Sequence, residues 1–163
     1  MLFPRTIRLD DTDGRVFETA AAAGEWAVTG AFMFADVEPM AISGKQRQAF
    51  RNGFLGLESF GWSTLVAVAR IEENQYQGVI DTLAAYFVSN CGAPGLEEAS
   101  AVARDEAAFA AGLCDHPVNT LLALDREHEE QGIVERFRVI QPTNANESVR
   151  TWEIAATPTT DGN

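Results

Sequence analysis

The run TLVAVARI, Thr64–Ile71, is apolar on both faces until Arg70. A strand written this way reads as an inner strand covered on both sides, not as a wet edge. Successive side chains point in opposite directions, so the pattern predicts that Leu65 and Val66 are both buried. The remainder of the chain therefore has to supply strands beside this one and layers over it.

The strongest helical signal follows directly. Tyr76, Val79, Ile80, Leu83 and Phe87 repeat at i, i+3, i+4, i+7 and i+11. Glu72 and Glu73 suit a helix N-terminus, and Asn74 is the expected cap. Gly92 supplies a left-handed stop and Pro94 prevents continuation. A second helix is expected from about Leu96 to Cys114, with Leu96, Ala99, Val102, Ala103, Phe109 and Leu113 inward. Its many alanines favour the helix and permit close packing.

Strand signals lie at both ends. Thr6–Leu9 reads as a strand closed by a turn at Asp10, Asp11, Asp13 and Gly14, and Val16–Glu18 pairs back on it. Glu25–Phe34 alternates, with Trp26, Val28, Phe32 and Phe34 on one side, and a loop over Asp36–Ile42 follows. Thr120–Glu127 and Ile133–Ile140 read as two strands joined by a charged loop holding His128, Glu129, Glu130 and Gly132. Val149–Ala155 reads as a last edge strand. Strands grouped at both ends and joined by hairpins indicate an α+β fold. The expected architecture is a mostly antiparallel sheet of five to seven strands, two main helices packed on one face, and one short extra helix. With 163 residues the chain has length for one domain, placed at 1–156, with a polar C-terminal tail at 157–163.

Charge narrows the function. Twenty-four acids oppose 12 Lys and Arg, a formal net charge of −12. That sign repels nucleic acid and anionic membrane surfaces, so neither is an expected partner. The N-terminus lacks a signal-peptide pattern, and no apolar run approaches the roughly 18 residues of a membrane helix. Cys91 and Cys114 are too few for a disulfide scaffold and fit reduced, slowly reacting thiols. The expected location is cytoplasmic.

Against that acidity, the segment between Glu38 and Glu58 contains no acid and holds Lys45, the only lysine, with Arg47 and Arg51. Ser43 and Gln46 fit a capping box, and Phe50, Phe54 and Leu57 carry helical spacing to about Leu57. Gly53, Gly56 and Gly61 then indicate left-handed backbone or close approach of another group. A helix N-terminus beside cations suits an anion. The plainer alternative, and the commoner case for one-sided charge on a surface helix, is a solvated helix face whose cations pair with nearby acids. The candidate ligand or partner site is Lys45, Arg47, Arg51, Gly53, Gly56 and Glu58.

Other chemistry is weakly written. Cys114, Asp115 and His116 form the nearest approach to a reactive cluster, but Cys114 falls on the inner side of a helix, where a thiol acts as a small hydrophobe. Cys91, Cys114, His116 and His128 match no zinc spacing. Ser59 and Ser63 lack a nucleophile elbow, and no phosphate-binding glycine loop is present. Pairs such as Glu97–Glu98 sit where acids serve helix starts and turns. Trp26, Trp62 and Trp152 suit packing better than a ligand cage. No cofactor is called for. The leading expectation is a non-catalytic accessory or binding module that takes a protein partner or a small anionic ligand. The alternative is a small enzyme handling an anionic substrate, with the arginines as clamps and Glu58 or His116 as acid or base.

RTIRL (Arg5–Leu9), GEWAVTGAF (Gly24–Phe32), GKQRQAFRNGFLGLESF (Gly44–Phe60) and HPVNTLLAL (His116–Leu124) carry a family resemblance. On these segments the chain resembles a bacterial domain-of-unknown-function family of about this length, one with no established activity or catalytic residue. The resemblance implies an accessory role, in the maturation of molybdenum enzymes.

Overall fold

The computed structural model describes residues 1–140 and the backbone of 150–154. The expected tail at 157–163, the domain boundary at 156 and both ends of the Val149–Ala155 strand lie outside the described residues. Within them the fold is α+β, antiparallel and one domain, with its strands divided between two sheets.

The inner strand is β5, Leu65–Arg70, which lies between β1 (Leu2–Ile7) and β6 (Leu121–Glu129). β6 continues through a hairpin to β7 (Gly132–Ile140), and β7 pairs with β8 (Arg150–Ile154). All pairings are antiparallel. β1 begins earlier than expected and takes in Pro4. It is an edge strand, where a missing N–H is tolerated. A smaller sheet is formed by β2 (Ala27–Val28), β3 (Phe54–Gly56) and β4 (Trp62–Ser63).

Only half of the burial expected of β5 is found. Val66 and Val68 are fully buried, whereas Leu65, Ala67 and Ala69 are half-buried. Register places Val66, Leu122 and Val139 on one face, with Leu124 and Phe137 beside them. Ala27, Phe54, Leu113, Cys114 and Phe109 cover that face. The opposite face of β5, Leu65, Ala67 and Ala69, stays partly open. Leu122→Ala should accordingly lower stability by ~2–5 kcal/mol, while Leu65→Ala should cost less than about 2 kcal/mol. Equal costs in urea melts would contradict this one-sided burial.

The helices are α1 (Thr12–Val16), α2 (Gly44–Asn52), α3 (Glu73–Asn90) and α4 (Leu96–Gly112). α4 delivers Phe109 to the sheet, and Leu113 and Cys114 follow from its end. α3 packs chiefly on α4. Val79, Ile80, Leu83, Ala84 and Phe87 of α3 share one core cluster with Ala99, Ala103, Ala107 and Ala110 of α4. The inner stripe of α4 is thus its alanines; Leu96 and Val102, expected inside, are 64% and 50% exposed. The cap of α3 is Glu72, not Asn74. Its side chain takes the backbone N–H at the third helical position, and its own N–H donates to Gln75 Oε1.

Three other expectations change. The acidic turn at Asp10–Gly14 winds into α1, and Asp13 turns inward to accept from the Thr64 backbone N–H and hydroxyl. The Glu25–Phe34 strand stops at Val28, because Gly30 takes φ 86 and a 3-10 turn, Ala31–Phe34, follows. A Cβ on Gly30 would stand 2.8 Å from Leu55 Cβ, so glycine is required there by both torsion and space. The hairpin strands reach Glu129 and start at Gly132, leaving only Glu130 and Gln131 between them, so His128 lies on a strand.

Candidate functional site

α2 is shorter than its apolar spacing predicts. It ends at Asn52, and Phe54 and Leu55 enter β3, so Phe50 and Phe54 belong to different elements. Ser43 stands at the N-cap with extended torsions, but its side chain makes no capping bond. The decisive contact is at the other end. Arg126, fully buried on β6, donates from Nη1 to the carbonyls of Phe50 (2.6 Å) and Ala49 (3.4 Å). From Nη2 it donates to Gly53 (3.2 Å) and to Thr29 (2.6 Å). Its Nε donates to Glu135 Oε2 at 2.9 Å, and Nη2 lies 2.9 Å from the same oxygen. The last carbonyls of a helix have no partner within it and carry partial negative charge, and Arg126 satisfies both needs.

That contact seats α2 against the β6–β7 hairpin and opens a cleft of about 290 Å³ between them. Pro39, Ile42, Arg47, Phe50, Arg51, Arg126, Glu127 and His128 line it. His128 stacks on Phe50 with ring centroids 4.3 Å apart and planes within 7°. Burial holds the His128 imidazole below its ordinary value, which favours the uncharged ring. Arg47 donates to the Ile42 carbonyl at 2.7 Å, and among the described residues no carboxylate lies within ion-pair distance of it. Arg51, 55% exposed in its side chain, reaches Asp125 at 4.0 Å, the outer limit of an ion pair.

The six candidate residues do not form one site. Lys45 points to a separate hollow beside Glu18, Thr19, Phe60 and Trp62. Gly53, Gly56 and Gly61 all lie outside the left-handed region; it is Phe60 that takes φ 54. What approaches these glycines is the protein itself. A Cβ on Gly53 would meet the Trp62 ring at 2.7 Å, one on Gly61 would meet the Ala20 backbone at 2.7 Å, and one on Gly56 would overlap Glu25 Oε1. Glu58 is exposed and lies at the turn held by Glu25, away from the cleft.

Glu25 explains that turn. Its Oε1 accepts from the backbone N–H groups of Glu58 and Ser59, both at 2.9 Å, and from the Ser59 hydroxyl at 3.1 Å. Oε2 accepts from Ala22 N–H at 2.8 Å. Burial alone would push the Glu25 carboxyl up, but these donors outweigh it and hold the group below its ordinary value. GFLGLESFG is therefore a loop folded around an internal carboxylate.

The remaining candidate chemistry is not assembled. Cys114 is buried, which pushes its thiol up to about 12, the reverse of an activated nucleophile. Cys91 is exposed but also pushed up, by partial burial and by the charge of Asp36. Among the described residues no three His, Cys, Asp or Glu side chains converge on a metal position, and no helix is long and apolar enough to cross a membrane. Trp62 is core, and Trp26 packs edge-on against Phe3 with Arg5 over its ring.

His128, Phe50 and Arg126 complete the cleft; the sequence makes the acidic hairpin around His128 a second candidate only, and marks neither Phe50 nor Arg126 as a site residue. The signal for the two strand residues is period two: Leu122, Leu124, Arg126 and His128 share one face of β6. With this geometry in place, comparison with known families is decisive over residues 1–155, which match a family of unknown function, DUF6505. The chain belongs to that family. No curated protein and no solved structure matches it. The match covers every element described above, so the α2–hairpin cleft and the Glu25 turn both lie inside the family's span.

Proposed function

We propose that this member of the DUF6505 family is a binding module that takes a carboxylate or phosphate group in the α2–hairpin cleft, as a small anionic ligand or as part of an acidic protein partner. The observation that carries this reading is that Arg47 and Arg51 flank one concavity, with no carboxylate within ion-pair distance of Arg47 among the described residues, in a chain of net charge −12. Guanidinium groups bind such anions through paired hydrogen bonds. The His128 ring adds a polar edge, and buried Arg126, its charge paired with Glu135, forms the fixed back of the cleft. The enzymatic alternative relied on Glu58 or His116 meeting the arginines, and neither lines the cleft. An accessory role in molybdenum-enzyme maturation is the setting the family resemblance suggests, and molybdate and phosphate-bearing ligands are both anions of the required kind.

Arg47→Glu with Arg51→Glu should leave thermal stability nearly unchanged, since exposed pairs contribute only about 0–1 kcal/mol each. The same double change should lower binding of phosphate or molybdate, measured by calorimetry, by about tenfold or more, the equivalent of one charge-assisted hydrogen bond. It should also remove partners captured by the wild-type chain from native extract. Binding should weaken with added salt, whereas Lys45→Glu should leave it unaltered. A folded double variant that retains both anions and every captured partner would sink the proposal.

A further inference from the structure

A second concavity lies on a different part of the molecule and has the opposite character. Its volume is about 480 Å³, within the roughly 300–1,000 Å³ of small-molecule sites. It runs between the segment after β2 and the corner joining α3 to α4. Phe32, Met33, Tyr86, Phe87, Pro94 and Val102 supply an apolar wall. The rings are fixed before any ligand arrives: Phe32 meets Phe87 edge-to-face at 5.0 Å, and Tyr86 stacks on Phe60 at 4.4 Å. Gly92, at φ 74, turns the corner that brings Pro94 over the groove. Among the described residues, the charged side chains that line it are Asp36 and Glu98, with Asn90 and the exposed Cys91 beside them, and no Lys or Arg. Leu96 and Val102, 64% and 50% exposed, extend apolar surface outward along α4.

We propose that this groove binds a small organic cation, an ammonium group carried on a compact aromatic or branched aliphatic body. The apolar walls select the body, because its burial is favourable without any directional partner. The charge is selected by complementarity: two acidic residues, Asp36 and Glu98, line the groove, and its aromatic wall adds a further attraction for a cation. An anionic ligand of the same shape would be repelled by both carboxylates. The site is independent of the arginine cleft and stands whether or not that cleft binds anions.

Three indole probes that differ in charge test it on the full chain: tryptamine, 3-methylindole and indole-3-acetate, followed by amide shifts of isotope-labelled protein. Tryptamine should move the amides of Tyr86, Asn90, Cys91, Glu98 and Val102 saturably. It should bind about tenfold more tightly than indole-3-acetate, the effect of one cation–π or charge contact. It should also slow alkylation of Cys91, which is exposed while Cys114 is buried. Asp36→Asn with Glu98→Gln should bring tryptamine down to the level of 3-methylindole without affecting the neutral probe. Val102→Trp, at an exposed position that tolerates bulk, should abolish binding of all three. The proposal is overturned if no probe moves these amides, if the three bind equally, or if Val102→Trp still binds. Shifts at these amides that depend on protein concentration with no probe present would make a second copy the occupant and would overturn it as well.

Discussion

Arg126→Met should destabilise the protein by about 3–5 kcal/mol, the cost of removing one partner from a buried ion pair. Glu135, almost fully buried, would be left without the cation it faces at 2.9 Å. The carbonyls of Ala49, Phe50, Gly53 and Thr29 would lose their donor in the same step. Methionine keeps much of the side-chain volume beside Phe34 and Phe50, whose rings each lie 5.9 Å from the guanidinium, so the loss is polar rather than a cavity. Arg126→Met with Glu135→Met separates the two roles. If Arg126 served only the ion pair, the apolar double variant would be neutral or more stable. Because the guanidinium also closes the end of α2, the double variant should remain about 1–3 kcal/mol below wild type, the penalty for stranded buried acceptors. Urea melts of both variants decide this, and full recovery in the double variant would reduce Arg126 to an ion-pair partner. The cleft is exposed to the same change, since α2 carries Arg47 and Arg51.

Glu106 on α4 adds a pH dependence to this cluster. It is half-buried, and burial first, then the charge of Glu135, pushes its carboxyl from 4.5 up to about 7. Its folded value lies above its unfolded one, so its contribution is present at low pH and is lost as pH rises through about 7. Glu106→Gln should therefore be more stable than wild type at pH 8 and no more stable at pH 4.

How much of this was legible in the chain depends on which residues carry a pattern. Thr64–Ile71 announced an inner strand, and the Tyr76–Phe87 stripe announced α3, because burial selects apolar residues at a fixed period. The same signal misplaced the end of α2. Phe50, Phe54 and Leu57 have helical spacing, yet a helix followed by a strand uses those positions equally well once the strand must reach Trp62. Leu96 and Val102 were read inward because an apolar residue on an amphipathic helix usually is. Here alanines take the inner stripe so that α3 can approach. At the site, the cation-rich segment was visible as composition, but which cations share a concavity depends on where the hairpin lies. Arg126 and Glu135 fall within the two strands the sequence predicts, where a charged residue near a hairpin loop reads as exposed. Only their alternation with Leu122, Leu124, Phe137 and Val139 marks them as inward. Glu25 has no periodic signal, because a loop that closes on a carboxylate is written in backbone amides.

Glu25→Gln should lower stability by about 1–3 kcal/mol, and Glu25→Ala by more, because buried donors lose an acceptor. With its amide oxygen in the place of Oε1, glutamine can still accept from Glu58, Ser59 and the Ser59 hydroxyl. Its amide nitrogen then faces the Ala22 N–H, donor against donor. Alanine removes all four bonds and frees the Glu58–Gly61 turn. The wild-type carboxyl is held below its ordinary value in the fold, so its contribution is present above the unfolded value of about 4.5 and is lost as pH falls through the folded one. The difference between wild type and Glu25→Gln should therefore shrink below pH 4. Gly56 supplies the sharper test. A Cβ there overlaps Glu25 Oε1, an atom pinned by three donors and unable to give way. Gly56→Ala alone should cost about 1–3 kcal/mol as an overpacked site. In the Glu25→Ala background most of that cost should vanish, giving a coupling of about 1 kcal/mol or more between two residues in direct contact. Strict additivity in the double-mutant cycle would mean that the turn is not built around the carboxylate.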